Sequence, residues 1–459
     1  MKIYDTICSI STPQGIGALA ILRVSGKEAF EITSKLFKDS NDFKAMLSHF
    51  VKRFDIYENE SLVDHVMAVK FAAPKTYTGE DVVEITCHGS NYIQQKIIEL
   101  LLKNGARLAK AGEFSMRAFL NGKLDLPQAE AVADLIESQS EAAHKLAINQ
   151  LKGGFSKRIK TLRVQFIELA ALMELELDFS EENVEFADRK QLNNLLQILK
   201  KEVFQLTESF KLGNVLKNGI PVAIIGKPNV GKSTLLNCLL KDDRAIVSHI
   251  PGTTRDTIED NFNINGINFR FIDTAGIRLT DDEIETYGIE RTFKAIDKAD
   301  IILYMIDISE TPLTEVEREV LFLENGIDFI HKKLILVANK IDQLNELPKH
   351  FTKWNDYDIA FISAKREVNI DDIRDLLVKH IEQKNITDTT LLTNVRHYDM
   401  MLKIEEEIHK IEAGFADQIP TDLIVIHINS ILNDLGEITG EITTDEVLNV
   451  VFGRFCIGK

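Results

Sequence analysis

Cysteine is scarce and scattered. The four, Cys8, Cys87, Cys238 and Cys456, stand far apart with no C-x-x-C pair, which argues against a zinc knuckle or a disulfide-stapled scaffold and leaves reduced thiols as the expectation. No apolar run approaches the roughly 18 residues that a bilayer-spanning helix needs, so no membrane segment is expected. The stretch Met1-Lys2-Ile3-Tyr4-Asp5-Thr6 has an acid where a signal peptide would begin its apolar run, and a cytoplasmic location is the expectation. Positive charge is short as well: 54 Lys and Arg face 71 Asp and Glu, a formal net charge of -17. Self-repulsion on that scale argues against a broad phosphate-binding surface, so any contact with RNA must be local or borrowed from a partner.

What is present suffices for several cores. A chain of 459 residues has room for about three domains. Short β-type runs, Ala18 to Val24 and Val82 to Thr86, alternate with helical pattern near Ile93 to Lys103, which predicts an N-terminal α+β domain over residues 1–120. Long helical periodicity follows: Ala129, Val132, Ala133 and Ile136 share one face, and Leu195, Leu196, Leu199, Val203 and Leu206 another. This predicts the first part of an all-α helical domain over 121–214. Gly213 and Gly219 punctuate the chain, and strands then alternate with helices over 215–383, the pattern of a P-loop α/β, Ras-like domain. Helical periodicity returns over 384–459, from Met400 to Ile411 and from Leu423 to Leu435. The multidomain reading is an α/β domain inserted in the helical one.

The inserted block carries the chemistry. The apolar strand Val222 to Ile225 runs into Gly226-Lys227-Pro228-Asn229-Val230-Gly231-Lys232-Ser233-Thr234, and the apolar helix Leu235 to Leu240 follows. That is the strand, glycine loop and helix of a phosphate-binding loop. Its glycines let backbone N–H groups turn inward, Lys232 supplies a point charge, and Ser233 offers a hydroxyl to magnesium. Base choice is read farther on, where the strand Leu334 to Val337 delivers Asn339-Lys340-Ile341-Asp342 and a later strand ends near Ser363-Ala364-Lys365. Asp342 can accept from both the ring N–H and the exocyclic amine of guanine, whereas adenine would set an acceptor against it; paired hydrogen bonds of this kind discriminate by about four orders of magnitude. GTP and GDP are the expected ligands, not ATP.

Between these loops, Phe269 to Ile272 ends in Asp273-Thr274-Ala275-Gly276, suited to water-mediated magnesium binding and to sensing a γ-phosphate. The segment Ser248-His249-Ile250-Pro251-Gly252-Thr253-Thr254 reads as a first switch, with Thr254 the second hydroxyl for magnesium. Many GTPases orient water with a glutamine after that last glycine; this chain has Ile277, which cannot. Glu285, in an acidic stretch downstream, is the candidate for orienting water, and a solvated acidic face is the alternative.

Together with Thr12-Pro13, Gly15, Arg23-Val24-Ser25-Gly26, Tyr77-Thr78-Gly79-Glu80-Asp81, Cys87-His88-Gly89, Gly112-Glu113-Phe114-Ser115, the run Arg117 to Leu126 and the tail Cys456-Ile457-Gly458-Lys459, the chain resembles, end to end, the MnmE (TrmE) family of tRNA uridine-modification GTPases. It departs from the family pattern at Ile16, Ala18 and Ser90. The resemblance implies a homodimer whose N-terminal domain binds a tetrahydrofolate one-carbon donor, and a flavoprotein partner, MnmG or GidA, that carries FAD and joins it in a heterotetramer. Together they would modify the wobble uridine of certain tRNAs. Arg23, Glu80, Lys123 and Lys459 match the family's folate-contacting positions. Such a set is chemically apt, because cations meet the carboxylates of folate and a carboxylate meets pterin donors.

The resemblance also makes Cys456 the candidate thiol of the chemistry, while Cys87-His88 reads as structural for want of metal-ligand partners at useful spacing. It further implies a potassium ion held by Asn229, Ser248, Ile250 and Thr253. That ion would supply the charge that an arginine finger supplies elsewhere. The competing class is a ribosome-assembly or scaffold GTPase without tRNA-modifying chemistry. Such a protein would be expected to carry a basic RNA-binding module, and the flanks here are acidic helices.

Overall fold

The computed structural model describes residues 5–180, 189–241, 260–272, 295–326, 332–344, 357–382, 391–417, 419–453, 455 and 458. The chain divides into two compact units: Met1–Ile136 with Gln150–Val203 and Met400–Lys459, and Glu137–Asn149 with Phe204–Asp399.

The first unit opens with a six-stranded sheet in the order β3-β4-β5-β2-β1-β6, formed by β1 (Ile7–Ile10), β2 (Leu19–Ser25), β3 (Val51–Glu58), β4 (Ser61–Phe71), β5 (Val82–His88) and β6 (Arg107–Leu108). Alternation along the strands decides its faces. Ala20, Leu22 and Val24 of β2 and Val83, Ile85 and Cys87 of β5 turn into the core with Ile32 of α1 (Ala29–Ser34), Phe43 of α2 (Ser40–Ala45) and Ile97 and Leu101 of α3 (Asn91–Lys103). Ile21, Arg23, Glu84 and Thr86 take the opposite face and are only partly buried.

Helices make up the rest of this unit. In α4 (Glu113–Leu120) and α5 (Leu126–Glu137), Met116, Phe119, Leu126, Ala129 and Ala133 pack with Leu448, Val451 and Phe452 of the last helix. Ile136, placed by periodicity on the same face as Ala129, is instead 51% exposed. The helix ends at Glu137, one residue later, so its apolar face has run out of partners there. The long helix α7 (Gly154–Ser180) buries Ile159, Leu162, Phe166, Leu169 and Met173 and packs along Thr421–Thr439, which buries Ile424, Ile428, Ile431 and Leu435. The spacing is that of one apolar stripe on each helix.

The second unit has a sheet in the order β12-β11-β10-β7-β9-β8: β7 (Ile220–Ile225), β8 (Asp260–Ile264), β9 (Ile267–Phe271), β10 (Ile301–Asp307), β11 (Lys333–Asn339) and β12 (Asp358–Phe361). Only the β8 to β9 pair is antiparallel. Every residue of β7 and β10 is buried, because a parallel sheet covered on both faces leaves no polar side. The remaining helices of this unit include α6 (Glu141–Leu151), α9 (Lys232–Lys241), α10 (Leu313–Gly326) and α11 (Ile370–Glu382).

Gly213 does not punctuate the chain. Helix α8 (Arg189–Asn218) runs through it and stops before Gly219. The glycine is there for close approach: a Cβ at Gly213 would lie 2.1 Å from the Leu392 carbonyl oxygen. Alanine is the better helix former by about 0.5–1 kcal/mol, so Gly213→Ala separates the two effects. The backbone clash should win, and urea denaturation should report a loss of about 1–3 kcal/mol where propensity alone would give a gain.

Candidate functional site

In the second unit, the predicted phosphate and base-reading loops collect at the carboxyl ends of parallel strands, where open α/β sheets bind ligands. Gly226 follows β7, Asp307 ends β10, Asn339 ends β11 and Ser363 follows β12. The phosphate loop turns on left-handed residues, with φ of 61° at Asn229 and 102° at Gly231. Asn339, 3% exposed, joins the loops. Its Nδ2 donates to the Val230 carbonyl at 2.7 Å, and its Oδ1 accepts from the Ala364 N–H at 2.9 Å. Gly231 lies so close beneath that a Cβ there would sit 2.4 Å from Asn339 Nδ2.

Lys232 donates from Nζ to the carbonyls of Gly226 and Lys227, each at 2.7 Å, and burial holds its ammonium below the usual lysine range. A desolvated cation seated on loop carbonyls fits a phosphate, whose charge would offset the cost of that burial. Ser233 and Thr234 stand exposed in the first turn of α9, whose early N–H groups also favour an anion. No acid occupies that turn.

Asp342 lies in the 3-10 turn Ile341–Gln343. Its Oδ1 accepts from Ser363 Oγ at 2.7 Å, and Arg366 Nε stands 3.5 Å from Oδ2. The Ser363 hydrogen bond, with the nearby cations, holds the carboxyl below its usual range. Lys340, at a φ of 70°, extends Nζ to Asp307 at 2.5 Å. Burial pushes Asp307 up, but hydrogen bonds from Lys340 and Ser309 outweigh it and the net direction is down. Lys365 and Arg366 are exposed cations of the loop, beside the buried Ala364.

Sequence reading missed Asp307 and the Lys227 pairs to Glu315 and Glu319 of α10, at 2.5 and 3.0 Å. An acid ending a buried strand beside the phosphate loop was the signal available for Asp307. Ser248, His249, Ile250, Pro251, Gly252, Thr253, Thr254, Asp273, Thr274, Ala275, Gly276 and Glu285 lie outside the described residues. Among the described residues no group of three or more His, Cys, Asp or Glu side chains is placed to hold a metal, so Ser233 and Asn229 are the described members of the magnesium and potassium sets.

In the first unit, the loop Thr76 to Glu80 gathers residues far apart in sequence. Arg23 donates from Nε and Nη2 to Glu84 Oε1 at 3.0 and 2.8 Å, and its guanidinium lies 5.7 Å from the ring centroids of Tyr77 and of Phe114. Glu80 accepts from Ser25 Oγ at 2.8 Å and from Arg117 Nη1 at 3.1 Å. Arg117 is 1% exposed and also pairs with Asp5 and Glu113. Lys123 is exposed and packs its aliphatic stem against Gly79. A cavity of about 350 Å³ opens beside Arg23, lined also by His49, Phe71, Tyr77, Val82 and Glu84.

Arg23 and Glu80 each have a protein partner that the sequence did not name. Glu84 faces Arg23 in the β2 to β5 register, which alternation could have found; Arg117 is buried by the tertiary fold. At the other end of the chain, Ser11 Oγ donates to the Gly458 carbonyl at 3.3 Å. That bond holds Gly458 beside the end of β1, while Cys456 and Lys459 lie outside the described residues. Cys87 is a core residue with its thiol pushed up to about 11 by burial, and His88 bonds through Nδ1 to the buried Asp64 at 2.7 Å. Neighbouring strand residues face opposite ways, so the two form no reactive pair.

Removing the Asn339 amide leaves two buried backbone groups unpaired, at about 1–3 kcal/mol each. Asn339→Ala should therefore weaken GDP binding at least about tenfold and lower the melting temperature. As the expected guanine acceptor, Asp342 would have to be ionised, and its lowered pKa keeps that form until the pH falls through it. A fluorescent-nucleotide titration should find affinity level from pH 8 to about 5, lost only in stronger acid. Ser363→Ala should move the onset of that loss to higher pH.

The family model described as GTP-binding protein TrmE N-terminus matches residues 6–123, and the one described as MnmE helical domain matches residues 126–456. The tRNA modification GTPase MnmE of Flavobacterium psychrophilum is 47% identical over 462 residues, covering 100% of both chains. That of Christiangramia forsetii is 47% identical over 476 residues, again covering 100% of both, and that of Bacteroides fragilis is 48% identical over 468 residues, covering 99% of each. With the two models adjoining along the chain and such relatives spanning its length, the chain belongs to the MnmE family of tRNA modification GTPases.

Proposed function

We propose that this chain hydrolyses GTP and, with a flavoprotein partner carrying FAD, installs an aminomethyl-type group on the wobble uridine of certain tRNAs. The carbon would come from a tetrahydrofolate derivative, and the working form would be a homodimer. The ranges 1–120, 121–214 with 384–459, and 215–383 are proposed as its folate, helical and GTP domains. One observation carries the reading: Arg23, Glu80 and Lys123, separated by up to a hundred positions, meet at the single loop Thr76 to Glu80, in a chain that also holds a guanine-type nucleotide site.

Each residue's part follows from its surroundings. Lys232 would move from loop carbonyls to the β- and γ-phosphates, and Ser233 with Thr254 would hold magnesium. Asn339 keeps the phosphate loop and the guanine loop in register, so that Asp342 meets the base while the phosphates are held. Ile277 cannot orient water; Glu285 would do so, and potassium on Asn229, Ser248, Ile250 and Thr253 would stabilise charge developing between the phosphates. In the folate site, the bound cofactor supplies the one-carbon unit. Arg23, restrained by Glu84 and flanked by two rings, and Lys123 would meet its carboxylates. Glu80, held ready by Ser25 and Arg117, would accept from pterin donors. Lys459 would close the site from the tail, bringing Cys456 with it.

Deleting the gene should abolish the wobble-uridine modification, measured by mass spectrometry of digested tRNA, and restoring it should bring the modification back. Unchanged tRNA in the deletion strain would refute the proposal, and Cys456→Ser restoring it in full would remove that thiol from the chemistry. Turnover of GTP should be at least about tenfold faster in potassium than in sodium. Glu285→Ala should lower kcat by about two orders of magnitude with nucleotide affinity unchanged, and equal turnover by wild type and variant would reassign the residue to a solvated face.

A further inference from the structure

A chain of net charge -17 has two long acid-free stretches rich in cations: Ser209 to Lys241, with five lysines, contains the phosphate loop, and the other lies earlier in the chain. From Ala142 to Ile167 there is no Asp or Glu, while Lys145, Lys152, Lys157, Arg158, Lys160 and Arg163 fall within it. Three of these are used internally: Lys145 pairs with Glu141 at 2.6 Å, Arg163 with Glu441 at 3.4 Å, and Arg158 is engaged within the protein as well. Lys152, Lys157 and Lys160 are exposed, and among the described residues none of the three has an ion-pair partner. Lys157 and Lys160 lie one turn apart in α7, on the same side of the helix, and Lys152 stands two residues ahead of its start.

This placement works against the helix. The N-terminal end of a helix carries the positive end of its dipole and the C-terminal end the negative. In α7, Lys157 stands in the first turn and Lys160 in the second. Both oppose the dipole, so the folded chain gains nothing from their placement. An external anion would gain from it, since the three ammonium groups and the helix end add in sign. Both aromatic side chains of these turns, Phe155 and Phe166, are buried with Ile159 and Leu162, while Val164 and Ile167 are exposed. These turns therefore offer no exposed aromatic to wedge into a bilayer or to stack on bases. The surface suits a sugar-phosphate backbone held by charge alone, which sets register without reading sequence.

We propose that Lys152, Lys157 and Lys160, at the start of α7, form a landing strip for the phosphate backbone of the tRNA that this chain acts on. The proposal rests on the tRNA-modification reading above and names where the RNA is held. The position is apt: Lys123 stands just ahead of α5, and Gln128, in the first turn of that helix, donates to the Leu151 carbonyl beside Lys152 at 3.0 Å. The basic strip therefore adjoins the segment that carries one of the folate-set cations.

The test uses the full chain and an unmodified tRNA transcript, with binding followed by anisotropy from 50 to 200 mM KCl. Wild type should weaken steeply with salt, as phosphate contacts release counterions. The triple variant K152A/K157A/K160A should bind at least about tenfold more weakly at the lowest salt, with the log–log slope shallower by about 2–3. K152R/K157R/K160R should bind like wild type, and all three proteins should hydrolyse GTP at the same basal rate. Affinity and slope unchanged in the alanine variant would overturn the proposal. So would loss of binding to anionic vesicles or to a protein partner while tRNA binding persists, or an arginine variant as weak as the alanine one. If the alanine variant restores wobble modification fully in a deletion strain, the strip has no role and the tRNA-modification reading stands; if the wild-type gene restores nothing, it is that reading that falls.

Discussion

Two hydrogen bonds from one buried side chain organise the nucleotide site. Asn339 Nδ2 grips the phosphate loop at Val230, and Oδ1 holds the following loop at Ala364. Both bonded groups are backbone atoms, so the contact depends on the path of the chain at three places and on few other side chains. Gly231 has to be a glycine because this amide lies against it. Ser363, adjacent to Ala364, donates to Asp342, so the loop held by Asn339 also fixes that carboxylate. Where phosphate and base are recognised by separate loops, such a tie lets one affect the other without any change in the sheet beneath.

The N-terminal sheet uses charge in a related way. Arg117, almost without exposure, is shared among Asp5, Glu80 and Glu113, which makes its burial tolerable and sets Glu80 in place. Glu113 shows the balance: burial pushes its carboxyl up, while hydrogen bonds from Arg107, the Lys110 N–H and Arg117 bring it below the ordinary range. A depressed carboxylate of this kind stabilises the fold above the usual carboxylate pKa and ceases to do so as the pH falls through its lowered value. Arg23, restrained by Glu84 and flanked by Tyr77 and Phe114, is likewise held by its own neighbours. Preorganisation of this sort limits the entropy lost on binding.

Charge not consumed in this way is the more informative. Some lysines have a carboxylate within reach, as Lys96 and Lys103 have in Glu58. At the start of α7, Lys152, Lys157 and Lys160 have none among the described residues, and the two inside the helix oppose its dipole besides. A feature that costs the free protein stability and satisfies nothing within it is best explained by something outside it.

Local chemistry made part of this protein legible from its residues alone. The order glycine, lysine, serine between an apolar strand and an apolar helix specifies a phosphate loop, because backbone N–H groups can line such a turn only with glycines at those places. Asn339 to Asp342 specifies guanine through its donor and acceptor pattern. The strand and helix types followed from apolar periods of two and of three to four. What depended on distant contacts was not legible. Gly213 read as a break and is a close crossing with Leu392, Ile136 read as core and is exposed, and the partners of Arg23 and Glu80, Glu84 and Arg117, went unnamed. A residue's own type and spacing determine what it can bond; only the folded chain decides which partner comes within 3 Å of it, because that distance is set by packing between segments that the sequence keeps far apart.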